Sequence, residues 1–422
     1  MTDPVAHFEE IAASHDRCFW LDGGGSRPWS GRRSILGWLE GDDVSLTYDA
    51  GTGEVTRHRG GRTEVVGDDI FAVLEAESAG DGADVHWVGH FGYASRSDLP
   101  AAIDPTDPMP TAVWMRTRNV RIFEHEVNGP ADPAEWSRPP GTMVPEVPAA
   151  PVPEVVVPAE YRNEFERVQE ELRAGNSYEV NLTYRLAVRS GLDPVTAYLR
   201  LRELNPAPYA GFLQHHGTWL LSSSPERYAT IDRHRMIEAK PIKGTTPRGA
   251  TPEEDERQRR HLAADPKFRA ENLMIVDLLR NDLATVCAPG TVDVPVLMDV
   301  ESYASVHQLV STVRGRLRDD LGTIAALRAL FPAGSMTGAP KLRTMEIIQD
   351  VEATARGVYA GAFGWISGDG RADLGVVIRS MTTAGDQIWR LGTGGGITVR
   401  SDVEEEYAES RWKAERLRRV LD

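Results

Sequence analysis

Between Ser137 and Pro158 the chain carries Pro139, Pro140, Pro145, Pro148, Pro151, Pro153 and Pro158. Proline has no amide hydrogen and a locked φ, so this run suits neither a helix nor a central strand and reads as an extended connector. It divides 422 residues, more than one ordinary core accommodates, into an N-terminal region 1–142, a linker 143–158 and a C-terminal region 159–422. Before the linker, short alternating segments such as Val44–Tyr48 stand between glycine clusters at Gly23 to Gly25 and Gly60-Gly61, the pattern of antiparallel sheet. Beyond it, Tyr161, Phe165, Val168 and Leu172 recur at helical spacing and stop at Gly175. Val180, Leu182, Tyr184 and Leu186 then alternate with Glu179, Asn181, Thr183 and Arg185, which predicts a strand with one buried face. Strands and helices interleave to the end without an internal repeat.

Bulk properties exclude several classes of function. The net charge of −16 opposes non-specific nucleic-acid binding. No apolar run approaches the roughly 20 residues that span a bilayer, and Met1-Thr2-Asp3-Pro4 lacks the order of a signal peptide. Cys18 and Cys287 are too few for a disulfide framework or a cysteine-based metal centre. A cytoplasmic protein with no membrane or nucleic-acid partner is expected.

The chemistry-bearing residues cluster after the linker. In Pro241-Ile242-Lys243-Gly244-Thr245 a lysine sits between a stiff Pro-Ile pair and a glycine; its amine is a nucleophile provided burial keeps it neutral. Ser222-Ser223-Ser224-Pro225-Glu226 places a carboxyl at a strand end. Residues 270–283 read as a helix with Leu273, Val276, Leu279 and Leu283 on one side and with Glu271, Asp277 and Asp282 as its acids. Ser401-Asp402-Val403-Glu404 looks like a capping box. Glu406, Glu409 and Lys413 then follow one turn apart, so the two acids can converge on one ion; hard oxygen ligands suit magnesium. Gly392-Thr393-Gly394-Gly395-Gly396-Ile397 fails the dinucleotide fingerprint and has no P-loop lysine, yet its amides can face a carboxylate. Arg379, ending an apolar strand, offers the planar fork that grips a carboxylate. On residues alone, each of these groups is also what a solvated or structural side chain looks like.

Together and in order, they resemble the chorismate-utilising enzymes, and Pro-Ile-Lys-Gly-Thr resembles the signature of aminodeoxychorismate synthase component I. The likeness is dense over roughly residues 160 to 415; the N-terminal region matches only through Arg32-Arg33-Ser34-Ile35-Leu36-Gly37. It implies an α+β fold of two interlocked halves, each with a large antiparallel sheet and outer helices. It implies Lys243 as nucleophile, Glu226 as general acid, and His307 of Glu301–Ser311 polarising the departing hydroxyl. Gly244, Thr245, Ser335 of the Phe331–Lys341 loop, Tyr359, Arg379, Gly395, Gly396 and Lys413 would hold substrate, with Glu271, Glu406 and Glu409 on Mg2+. The implied reaction takes chorismate and ammonia to 4-amino-4-deoxychorismate. Neither Arg17-Cys18-Phe19 nor Val286-Cys287-Ala288 is a glutaminase elbow, so a separate class I glutaminase subunit is the expected ammonia source.

Anthranilate and 2-amino-2-deoxyisochorismate synthases share most of these motifs but aminate ring position 2 directly, where a lysine would block the path. Isochorismate and salicylate synthases activate water with a lysine at the position of Glu179. The common aminodeoxychorismate pattern has glutamine there, so the charge of Glu179 is a departure without an explanation from sequence. A scaffolding paralogue would be expected to have lost one of Glu226, Lys243, Glu271 or Glu409, and all four are present.

Overall fold

Two antiparallel sheets form the framework of the computed structural model, which describes residues 4–23, 33–124, 156–303 and 306–422. Residues 143–155 of the expected linker, Gly24, Gly25 and Arg32 lie outside the described residues. The first sheet runs Gly338–Ala339, Glu179–Arg189, Ile388–Ile397, Ser380–Thr383, Thr218–Ser224, Tyr209–His215, Arg17–Asp22, Arg33–Trp38, Val120–Glu124. The second runs Ile242–Pro247, Val306–Arg316, Met236–Lys240, Arg227–Ile231, Ala372–Val376, Ala362–Ser367, His86–Phe91, Ala112–Thr117, Ser45–Asp49, Glu54–Arg59, Arg62–Gly67. Asp293–Ser302 lies on the other flank of Val306–Arg316. Strands from before residue 125 sit in both sheets, which is how the halves interlock.

Side-chain alternation sorts the core into layers. Phe19, Val88, Val113, Leu213, Leu220 and Phe363 meet between the two sheets. Their chain neighbours point outward: Trp20, Phe212 and Leu221 pack with Phe8 and Tyr198 from the helices Pro4–Ser14 and Pro194–Leu204. Behind the second sheet, Trp87 and Trp114 join residues of the helices Ile70–Ser78, Pro266–Val286 and Thr323–Leu330. Removing a side chain of this size from water contributes roughly 1.5–3 kcal/mol each, so the layers hold the sheets in fixed register.

The expected helix appears as Ala159–Arg173 with Tyr161, Phe165, Val168 and Leu172 buried, and Gly175 follows it in the left-handed region at φ 77°. Three local expectations change. In Glu179–Arg189 both faces are buried from 179 to 183, because Val180 and Leu182 face the helices while Glu179, Asn181 and Thr183 face a polar interior. The helix Pro266–Val286 buries Asn272, Ile275, Val276, Leu279 and Leu283, and leaves Leu273 53% exposed. The cap of Val403–Arg418 is Asp402, whose carboxylate accepts from the amides of Glu404 and Glu405, while Ser401 Oγ accepts from Thr398 N instead.

Candidate active site

Two strands pass from one sheet to the other side by side. Thr218–Ser224 of the first sheet continues through Pro225-Glu226 into Arg227–Ile231 of the second; Ala372–Val376 of the second returns through Val377-Ile378-Arg379 into Ser380–Thr383. The crossings are stitched by Val376 N donating to Glu226 O at 3.0 Å and Ser223 N donating to Arg379 O at 3.1 Å. Arg379 stands at φ 50°, a conformation that non-glycine residues adopt rarely. Glu226 and Arg379 thus occur where the chain must bend, which turns both side chains into the seam between the sheets.

Lys243 reaches the same seam through a bulge. Ile242 pairs with Val310 and Thr245 with Gln308, so Lys243 and Gly244 together oppose one partner residue. Gly244 lies at φ 88°, and a Cβ there would also approach Phe268 to 2.8 Å. Such a bulge re-aims a side chain. Here it carries the amine, on a residue only 8% exposed, into an ion pair with Glu179 Oε1 of the opposite sheet. Burial pulls the ammonium down, but the charge of Glu179, then of Glu271 and Glu226, outweighs it and leaves Lys243 above its ordinary value. The condition for a nucleophilic amine, that burial keep it neutral, is thus opposed by its acidic company, which favours the charged form.

Around this pair the other acids differ in state. Burial pushes the Glu226 carboxyl up to about 7, against the hydrogen bond from Ser335 Oγ at 2.5 Å and the charge of Lys243. Burial likewise raises Glu271 to about 7, with Lys243 opposing, and its Oε1 is buried without a hydrogen-bond partner among the described residues. Glu406, 3% exposed, accepts from Lys267 Nζ at 3.0 Å. Glu409 pairs with Lys413 at 2.7 Å, and that charge holds it below its ordinary value despite burial. Lys413 also donates to Gly394 O at 3.0 Å. Five carboxyls therefore line the seam, yet two of them are shared between acid and anion near neutral pH. Lys243, Lys267, Lys413 and Arg379 then leave it fit for an anionic ligand within an acidic protein.

The glycine-rich run, a strand end rather than a loop since it completes Ile388–Ile397, is the floor of this space. A Cβ on Gly392 would lie 2.0 Å from the Tyr359 ring, and one on Gly395 3.3 Å from Glu406 Oε2 and 3.8 Å from Lys413 Nζ. One on Gly396 would lie 2.2 Å from Glu179 Oε1 and 3.1 Å from Lys243 Nζ. Burial brings Arg379 down to about 10, Arg416 adding to it, and its guanidinium lies 5.6 Å from the Trp412 ring centroid. Tyr359 is raised, chiefly by burial. Ser335 sits on a short 3-10 turn, Gly334–Met336, whose Ser335 O accepts from Asn181 Nδ2 at 3.3 Å.

His307 pairs with Thr246 across the strands and is fully buried. Both ring nitrogens have protein partners: Nδ1 lies 2.8 Å from Ser302 Oγ and Nε2 3.0 Å from Asp255 Oδ1. Asp255 in turn accepts from Arg248 and from Gly249 N, and Arg248 leads the causes that hold its carboxyl below the usual range.

Oxygen donors without imidazole or thiolate, one of them an orphaned buried carboxylate oxygen on Glu271, are the chemistry a hard divalent cation takes. As the side chains stand, no three acidic, histidine or cysteine residues among those described are gathered closely enough to ligate one ion. Lys267 and Lys413 hold Glu406 and Glu409, and a cation there would displace them. No motif assigns a role to Lys267, Asn181, Thr246 or Gln308. Lys267 precedes Glu271 by one helical turn, which was a usable signal; the unpartnered Asn181 Oδ1, Thr246 Oγ1 and Gln308 Oε1 become visible only once the sheets face each other.

Residues 25–419 match the family model described as chorismate binding enzyme. The chain is 39% identical over its whole length to an aminodeoxychorismate synthase of Streptomyces griseus, and spans 63% of that relative's length. Over 62% of the chain it is 43% identical to aminodeoxychorismate synthase component 1 of Salmonella typhimurium, covering 58% of that protein. Among solved structures, anthranilate synthase component I from Streptococcus pneumoniae superposes with a TM-score of 0.74 at 26% identity, over 93% of each chain.

Proposed function

This chain belongs to the chorismate-binding enzyme family, and from that we propose that it aminates chorismate at ring carbon 4 as the large subunit of an aminodeoxychorismate synthase. The observation that carries this choice within the family is Lys243, a primary amine aimed by a bulge into the middle of the seam. An enzyme that adds ammonia directly at carbon 2 has no use for an amine there, and the side chain would stand in the path.

In this reading Arg379, Tyr359, the amides of Gly395 and Gly396, Lys413 and the Gly244-Thr245 backbone hold the substrate's two carboxylates and its ring against Ser335. Neutral Lys243 Nζ attacks ring carbon 2. The ring π electrons shift toward carbon 4, and the 4-hydroxyl leaves as water with a proton from Glu226, whose value of about 7 keeps acid available at neutral pH. Ammonia then attacks carbon 4, the electrons shift back, and the carbon–nitrogen bond to Lys243 breaks. Glu226, now a carboxylate, takes a proton from the new ammonium. The pyruvyl ether is untouched and the product is 4-amino-4-deoxychorismate. His307 reaches the departing hydroxyl only by giving up its bond to Ser302 or Asp255.

Glu271, Glu406 and Glu409 would hold magnesium, which when bound neutralises a substrate carboxylate. The ammonia would come from a separate glutaminase subunit in the cytoplasm, feeding p-aminobenzoate for folate or an arylamine product. No helix among the described residues is long and apolar enough to cross a membrane. The deciding experiment supplies the purified chain with chorismate, magnesium and ammonium and identifies the product by chromatography and mass spectrometry. Anthranilate or 2-amino-2-deoxyisochorismate as the product would refute the assignment, and so would turnover of glutamine by this chain alone.

A further inference from the structure

Lys243 has to lose a proton before it can attack, and the structure holds it charged. Among the described residues the only hydrogen-bond partner of its amine is Glu179, 64 residues earlier in the opposite sheet. Glu179 is 1% exposed, and its second oxygen, Oε2, is buried with no hydrogen-bond partner among the described residues. The other charged groups near the amine are less able to take its proton. Glu226 must arrive as an acid in the proposed reaction, and its carboxyl is bonded to Ser335. Glu271 acts on Lys243 through its charge without a hydrogen bond to it, and is one of the three acids that would hold magnesium. Glu406 is spent on Lys267 and Glu409 on Lys413. Gly396 of the strand Ile388–Ile397 lies beside the Lys243–Glu179 pair, where a Cβ would come within 2.2 Å of Glu179 Oε1 and 3.1 Å of Lys243 Nζ, so the strand leaves room for this contact.

Resting on the reading above, we propose that Glu179 is the catalytic base for Lys243: it takes the proton from Nζ as the amine attacks ring carbon 2 and returns it when the amine leaves. The balance closes. Before attack the pair is ammonium and carboxylate; transfer leaves a neutral amine and a carboxylic acid. The amine's lone pair forms the carbon–nitrogen bond, making a secondary ammonium. When ammonia displaces it, the electrons of that bond return to Nζ as a neutral amine, which recovers its proton from Glu179. No proton is exchanged with solvent at Lys243 during a turnover. This also gives the negative charge at 179 a purpose that a glutamine could not serve.

The test compares Glu179→Gln, Glu179→Asp and Glu179→Ala with the wild type, with chorismate, magnesium and saturating ammonium. If Glu179 only holds a charge beside Lys243, replacing it frees the buried amine to become neutral. The Gln variant should then keep or exceed the wild-type kcat. If it is the base, kcat falls about a hundredfold in the Gln variant, within the range for loss of a general base, while KM for chorismate changes little. Asp retains part of the rate. In the Ala variant, acetate should restore turnover better than the similarly sized but less basic fluoroacetate, a dependence on basicity that a packing role would not produce. Wild-type kcat in the Gln variant, or equal rescue by both acids, overturns the proposal. Failure of the wild type to form 4-amino-4-deoxychorismate is a separate result: it removes the proposed reaction and this step with it.

Discussion

Replacing Gly396 by alanine adds one methyl group at the most crowded point of the seam. Its Cβ would lie 2.2 Å from Glu179 Oε1 and 2.8 Å from Glu179 Cδ. Ordinary contact begins near 3.4 Å, so the carboxylate must retreat by about 1.2 Å. The backbone raises no objection, since Gly396 is not among the glycines with positive φ. The cost therefore falls mainly on Glu179 and, both through it and by a tight 3.1 Å approach to Nζ, on Lys243. Misplacing a reacting group by about 1 Å typically costs about a hundredfold in rate, and kcat of Gly396→Ala should fall by that order with the fold intact by circular dichroism. Gly395→Ala is the internal control: its Cβ meets Glu406 Oε2 at 3.3 Å, only slightly tight, and does not touch the Lys243–Glu179 pair. A loss of less than about threefold is expected there, since a few tenths of an ångström of side-chain adjustment costs well under 1 kcal/mol. Initial rates of product formation read both. In a Glu179→Ala background the Gly396 methyl should add little further loss, because the atom it strikes is gone. Equal losses at Gly395 and Gly396, or additive effects in the double variant, would refute the reasoning.

Lys243→Ala should let ammonia reach ring carbon 2 and shift the product to 2-amino-2-deoxyisochorismate or anthranilate, seen by mass spectrometry; Lys243→Arg should not restore the original product, because a guanidinium stays charged. Turnover should decline as pH rises through about 7, where Glu226 loses its proton; Ser335→Ala removes a bond that favours the carboxylate and should move that limb to higher pH in a kcat profile. The raised values of Glu226 and Glu271 mean that the folded state binds their protons more tightly than the unfolded chain does. Their contribution to stability is thus full in acid and lost as pH rises through about 7, which Glu226→Gln should partly abolish in a melting-temperature series. Glu271→Gln or Glu409→Gln should weaken the magnesium dependence of turnover far more than Glu404→Gln, since Glu404 is an exposed partner of Arg162.

Periodicity made the helix Ala159–Arg173 legible, because its buried face repeats at 3.6 residues and a glycine ends it. Leu273 broke the same rule on Pro266–Val286: residues at 272, 275 and 276 face the second sheet, and that face is chosen by packing rather than by which residues are apolar. The chemistry of Lys243, Glu226 and Arg379 could be read from motifs, but their convergence could not. The partner of Lys243 is 64 residues away and that of Glu406 is 139 residues away, in each case across the seam. No local spacing encodes such a contact. For the same reason the sequence left the charge of Lys243 open: whether burial makes the amine neutral depends on a carboxylate that belongs to another sheet.

The strands that precede residue 125 have a consequence for how this chain can be divided. Arg17–Asp22 covers the edge of Tyr209–His215, and His86–Phe91 covers the edge of Ala362–Ser367. A fragment cut at the proline-rich stretch, although it would keep every residue assigned to chemistry, would bare two long strand edges with Phe212, Phe363 and Trp365 beside them. Such edges are templates for aggregation. Gene truncation, domain exchange or fission at that stretch would thus separate sequence without separating structure. Grafting a new N-terminal portion would demand two matched edges at once, so the first 124 residues are held to the rest by the economy of hydrogen bonding even where their own side chains take no part in catalysis.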